Sequence, residues 1–167
     1  MAESIEPVID ISQLPLDPFA DGSLYASADA GISERGGLTQ IGAAYSEVPP
    51  GKTGCPFHVH HIEDELFYVI AGTGEYRFGD ETFPVGPGCV LCAPRGGAEF
   101  AHQLINTGSV PLKYLSISSK AEADICEYPD SEKFQVMSRR DLPADRRFRF
   151  IGRMSAHLDY YDGEAGQ

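Results

Sequence analysis

The residues with the clearest chemical potential lie in the run PFHVHHIEDELFYVIAG. His58 and His60 are two positions apart, and on an extended strand positions i and i+2 share a face, so both imidazoles project to one side. His61, Ile62, Glu63 and Asp64 are polar enough to turn the chain. Glu65 then opens an alternating run that can return antiparallel to the first and set a carboxylate beside the two imidazoles. His102 begins HQLIN after the PRGG turn and adds a third imidazole. Three imidazoles and a carboxylate make an open-sided ligand set for one divalent transition metal (Zn, Mn, Fe, Ni or Co), with room for water or substrate. Glu63 and Asp64 are alternatives to Glu65 as the acidic ligand. His61 points away from the face shared by His58 and His60 if the strand is regular, which makes it a surface residue or a support for the ligands.

Such a set works only on a rigid frame, and the frame reads as β-structure. From Leu38 the chain consists of short β-rich runs: LTQIGAAYSEV, ELFYVIAG, GEYRFGD, ETFPVG, CVLCAP, HQLIN and VPLKYLSISS. Turn-forming stretches such as PPGKTG, GTG, GPG and NTGS separate them, and Gly79-Asp80 suits a tight hairpin. Strands at intervals of about 8–12 residues indicate a sandwich or barrel. The 18 Gly and 12 Pro of the 167 residues agree with many tight turns. Residues 1–37 are rich in Pro, Gly, Asp and Ser and read as an arm or loops over a later core or a partner, with one short strand at Val8–Ile11.

The formal net charge of −12 argues against a nucleic-acid partner or an anionic membrane surface. No apolar run reaches the length of a membrane span, and MAESIEPVIDISQ lacks the basic and apolar regions of a secretion signal. A cytoplasmic setting follows as the expectation, with Cys55, Cys89, Cys92 and Cys126 as reduced thiols. Cys89 and Cys92 have CxxC spacing but occupy a strand, where i and i+3 face opposite ways, so they are expected to be buried and structural. Cys55, just before the histidines, is a minor functional candidate. Arg139–Arg153 hold six of the thirteen basic residues; the stretch suits packing against the acidic body or a partner subunit, or else clamping an anion.

These motifs resemble those of the cupin superfamily. Its first motif is matched by Gly51, His58, His60, Glu65 and Gly72, with one extra residue between Gly51 and His58. Its second is matched by Gly88, Pro94, Gly96, His102 and Asn106. Here three extra residues precede His102, and Glu99 stands where unshifted spacing would put the histidine. The spacing from His102 to Asn106 favours a loop insertion. The resemblance covers residues 38–119, the core, with residues 120–167 as a C-terminal extension completing a single domain. It implies an all-β, jelly-roll-like double-stranded β-helix barrel with a metal in its mouth, held by His58, His60, Glu65 and His102, usually in a homodimer. Among cupins the chain is similar to small single-domain bacterial members labelled sugar-phosphate-isomerase-like.

A metal there can chelate a hydroxy-carbonyl substrate and stabilise an enediolate while a base moves a proton. On this reading the protein is an isomerase-like enzyme for a small sugar or sugar phosphate. Glu99 and Tyr76 are candidate bases, and Lys52, Arg77 and Arg95 are candidates to bind a substrate phosphate or carboxylate. The same ligands suit an Fe(II) dioxygenase, or a metal-dependent binding protein without turnover. His157 lies outside the matched region and is unassigned.

Overall fold

The computed structural model describes residues 5–138 and 148–166. Thirteen strands account for nearly half of them. In chain order these are β1 (Asp17–Asp21), β2 (Tyr25–Gly31), β3 (Ile41–Val48), β4 (Val59–His60), β5 (Glu65–Ala71), β6 (Gly74–Phe78) and β7 (Glu81–Val85). There follow β8 (Val90–Ala93), β9 (His102–Ile105), β10 (Leu112–Ser119), β11 (Ala123–Tyr128), β12 (Lys133–Ser138) and β13 (Arg149–Arg153). One helical turn, α1 (Ser33–Gly36), lies between β2 and β3. No helix among the described residues is long and apolar enough to cross a membrane.

The strands form three antiparallel sheets in a double-stranded β-helix. Six strands run in the order β1-β2-β3-β10-β5-β8, four as β13-β12-β11-β4, and three as β7-β6-β9. Alternation places one side of each strand inside. In β8, Leu91 and Ala93 are buried while Val90 and Cys92 face out. Cys92 is therefore exposed, against the expectation of a buried thiol, because the pleat gives the inward positions to its neighbours. Cys89, just before the strand, packs against the core. That core is built from Val48, Phe67, Val69, Tyr76, Leu91, Leu104, Leu112 and Tyr114, drawn from both faces of the fold.

The expected hairpin is present: Gly79 and Asp80 connect β6 to β7, with Phe78 opposite Glu81 and Gly79 at φ 55°. The first 37 residues differ from the loops expected there. Val8–Ile11 is not a strand, and Ile11–Gln13 is a short 3₁₀ turn capped by the Asp10 side chain. Residues 17–31 instead form β1 and β2, and β2 pairs with β3. Their sequences, DPFAD and YASADAG, carry little apolar alternation, so the partner strand, not local propensity, makes them extended.

At the other end, β11 pairs with β4 and β12 pairs with β13. Strands β11 to β13 thus share a sheet with β4, the strand that bears His60. The basic stretch falls partly outside the described residues. Within it, Arg149 donates to the Gln135 side-chain oxygen and Arg153 to the Ser131 carbonyl, both in the same sheet region.

Candidate metal centre

Four elements bring the histidines and Glu65 together. β4 and β5 are not paired, contrary to the antiparallel return expected from the sequence. β4 belongs to the four-stranded sheet and β5 to the six-stranded one. His58 joins His102 through an isolated bridge with two backbone bonds, and His102 opens β9 in the third sheet. The Ala98–Phe100 3₁₀ turn takes up the extra residues before His102. One side chain from each sheet therefore meets at the centre.

The convergence is specific to atoms. Nε2 of His102, His60 and His58 lie 3.2, 3.4 and 3.6 Å from Oε2 of Glu65. The opposite ring nitrogens are all engaged: Nδ1–H of His58 donates to the Pro56 carbonyl (2.8 Å), that of His102 to the Phe100 carbonyl (3.3 Å), and that of His60 to the Asp124 carboxylate (2.5 Å). Carbonyl and carboxylate oxygens only accept, so these bonds fix the proton on Nδ1 and leave each Nε2 with a lone pair. Three lone pairs and a carboxylate oxygen then face one another with no donor among them. The arrangement is satisfied by a cation, and its nitrogen and oxygen donors suit a divalent transition metal.

Without an ion, protons serve the same purpose. Burial opposes a charge on His58, yet bonding to Cys55 and Glu65 outweighs it and raises the imidazole well above its ordinary range. Burial pushes the Glu65 carboxyl up, but its close contacts with His102, His58 and His60 hold it far below the usual carboxylate range. Burial lowers His102. One centre thus contains an anion and imidazoles pushed in opposite directions, the signature of groups competing for one positive charge.

The surrounding residues separate the sequence candidates. Glu63 is buried and its carboxylate accepts from the Ala121 backbone, while exposed Asp64 accepts from the Arg95 backbone. His61 turns outward to Glu127, 3.1 Å away, beside a groove of about 470 Å³ between Ile125, Phe134 and Phe150. Glu99 is exposed and folds over Gly97. Tyr76 is buried with its ring near His102, but its hydroxyl donates to the Cys92 carbonyl, and burial raises its pKa further. Arg77 forms a two-point ion pair with Asp130 and lies over the Phe57 ring. Arg95 donates to the Ile62 carbonyl and Lys52 to the Ser23 carbonyl. The charged group of each of these three residues is thus engaged away from the histidine cluster.

Two residues that the motifs do not include stand beside the centre. Asp124 is 2% exposed; its second oxygen accepts from the Ile62 backbone, so it ties the turn after β4 as well as His60. Cys126, also buried, places its sulfur within 4.8 Å of ring nitrogens of His58 and His60. Both come from β11, where residues two apart share a face. The alternation in ADICEY hinted at that face, but only the Cys126–His60 register brings it to the histidines.

Residues 44–118 match the family model for the cupin domain. The chain carries a cupin domain. Over 74 residues it is 28% identical to the oxalate-binding protein of Thermotoga maritima, a match covering 44% of this chain and 58% of that protein. The chain spans about half the length of the curated relatives it matches. Its fold is similar to that of a cupin-superfamily sugar phosphate isomerase from Silicibacter pomeroyi, at TM-score 0.77 and 18% identity over 93% of this chain and 98% of that one. It is similar also to a candidate sugar phosphate isomerase from Acidithiobacillus ferrooxidans, at TM-score 0.70 and 24% identity over 80% of each chain. At these identities the likeness is one of fold. Asp124 and Cys126 lie beyond the segment matched to the cupin domain.

Proposed function

We propose that this cupin is a metal-dependent enzyme for a small hydroxy-carbonyl compound, of the sugar-phosphate-isomerase type. His58, His60, Glu65 and His102 would hold one divalent transition metal. The observation that carries this reading is the convergence of three Nε2 lone pairs on Oε2 of Glu65 at 3.2–3.6 Å. Bound there, such an ion supplies Lewis acidity toward the oxygens of a substrate. The chain supplies the rest. Pro56, Phe100 and Asp124 hold the three rings in one tautomer and orientation. The oxalate-binding relative and the isomerase-named structural neighbours support a small, oxygen-rich ligand. We infer also a homodimer in the cytoplasm; the free thiols among the described residues agree with a reducing compartment.

The test is elemental analysis of the purified protein and of His60→Ala, followed by turnover assays on aldose–ketose pairs under argon and under air. Near one equivalent of a transition metal in the wild type, a large loss in the variant, and oxygen-independent isomerisation are expected. Oxygen consumption with Fe(II) would replace isomerisation by dioxygenase chemistry, and absence of metal in wild-type protein after loading would overturn the metal reading.

A further inference from the structure

On the inner face of the six-stranded sheet, side-chain size falls toward one end. Adjacent strands align Val69, Tyr114 and Ser46 in one row, then Phe67, Ser116, Ala44 and Gly31, then Glu65, Ser118 and Gly42. Val69, Tyr114 and Phe67 fill the core, whereas Ser116, Ala44, Gly31, Ser118 and Gly42 leave a cavity of about 260 Å³. That size admits a small metabolite and lies below the range typical of drug-sized sites. Glu65 forms part of its wall, so the cavity adjoins the histidine cluster. A Cβ at Gly42 would collide with the Ser118 hydroxyl, which shows how closely the small residues define the space.

Lys120 is the one cation among the residues lining this cavity. Its backbone N–H is fixed to the Gln40 carbonyl, directly after β10. Its ammonium group lies 3.7 Å from Glu34 of α1, whose side chain is 74% exposed. An ion pair this open contributes little to stability and exchanges readily for a better partner. By contrast Arg77 is committed to Asp130.

We propose that this cavity is the substrate subsite and that Lys120 leaves Glu34 to bind the anionic group of a small hydroxy-carbonyl compound. The Ser116 and Ser118 hydroxyls face the body of that compound, and Glu65 marks the end nearest the ligand cluster. The assignment rests on the metal-dependent reading above and adds a recognised charge and a recognising residue. Phosphate and carboxylate share the required chemistry.

The experiment uses metal-loaded full-length protein and three probes measured by calorimetry: glyceraldehyde 3-phosphate, glycerate and uncharged glyceraldehyde. Tighter binding of glyceraldehyde 3-phosphate than of glycerate would assign the anion as phosphate, and the reverse as carboxylate. Lys120→Met should weaken the preferred anion by about ten- to hundredfold and leave glyceraldehyde unchanged, while Lys120→Arg retains most of the affinity. Glu34→Gln, which removes the competing carboxylate, should tighten the anion. Gly42→Val should abolish binding of all three probes with metal content and melting temperature as controls. Equal anion affinity in wild type and Lys120→Met, or no anion binding to the loaded wild type, would overturn the proposal. Failure of the wild type to load metal would instead strike the reading on which it rests.

Discussion

Nδ1 of His60 lies 2.5 Å from Oδ2 of Asp124, a residue 64 positions further along the chain. This contact links the cupin motif to a strand outside it. A ring held at one nitrogen by a buried carboxylate is fixed in tautomer and direction, and the other nitrogen becomes more basic. Asp124→Asn keeps the volume but removes the charge. Metal affinity, read by competition with a chelator, should fall by about 10–100-fold while the circular dichroism spectrum stays unchanged. An unaltered affinity would show that the Pro56 and Phe100 contacts suffice to order the centre.

Metal capture should depend on pH in a defined direction. In the ion-free site His58 is protonated to higher pH than a free imidazole, because its bonds to Cys55 and Glu65 outweigh its burial. That raised value stabilises the ion-free fold, fully below about pH 6.5 and less as pH rises through the folded-state value. Glu65, held low, stays ionised throughout this window. An incoming ion must displace the His58 proton, so affinity should increase with pH by up to about tenfold per unit until His58 is neutral. Calorimetry in two buffers of different ionisation enthalpy would count the released proton; a flat profile would mean that none is displaced.

Glu99, the acid nearest in sequence to His102 on the alternative spacing, is exposed over Gly97. Glu99→Gln should therefore leave bound metal and turnover within about twofold of wild type. A loss of kcat with metal content intact would restore Glu99 as a base that reaches inward during the reaction.

Gly72 ends β5 at φ 80°, and a Cβ there would stand 2.5 Å from the Pro111 carbonyl oxygen. Gly72→Ala combines a disfavoured backbone conformation with a close approach to fixed backbone. It should destabilise the protein by about 1–3 kcal/mol in denaturant titrations. Because Gly72 lies at the far end of β5 from Glu65, the surviving folded fraction should bind metal as the wild type does.

How far the sequence disclosed this molecule depends on what each residue answers to. The runs that became β3 and β5 to β10 carry their own alternation and turn residues, so Gly79-Asp80 and the shared face of His58 and His60 were readable locally. β1 and β2 were not, since DPFAD and YASADAG take their conformation from pairing that begins at β3. The same limit hid Asp124 and Lys120. Nothing in their local sequence states that β11 aligns with His60, or that Lys120 reaches across to Glu34. The misplacement of Cys92 has a simpler origin: residues three apart on a strand face opposite ways, and only one face of β8 is turned inward.

The strand bearing His60 is two residues long, and its ladder partner is β11. Of the four proposed ligands His60 is therefore the one tied to the β11–β13 annex, whereas Glu65 and His102 stand on strands that also supply the apolar interior around Val69 and Leu104. Loosening β11 to β13 under mild denaturant would release the metal while the remaining sheets stayed closed, and the chain would lose its chemistry before it lost its shape.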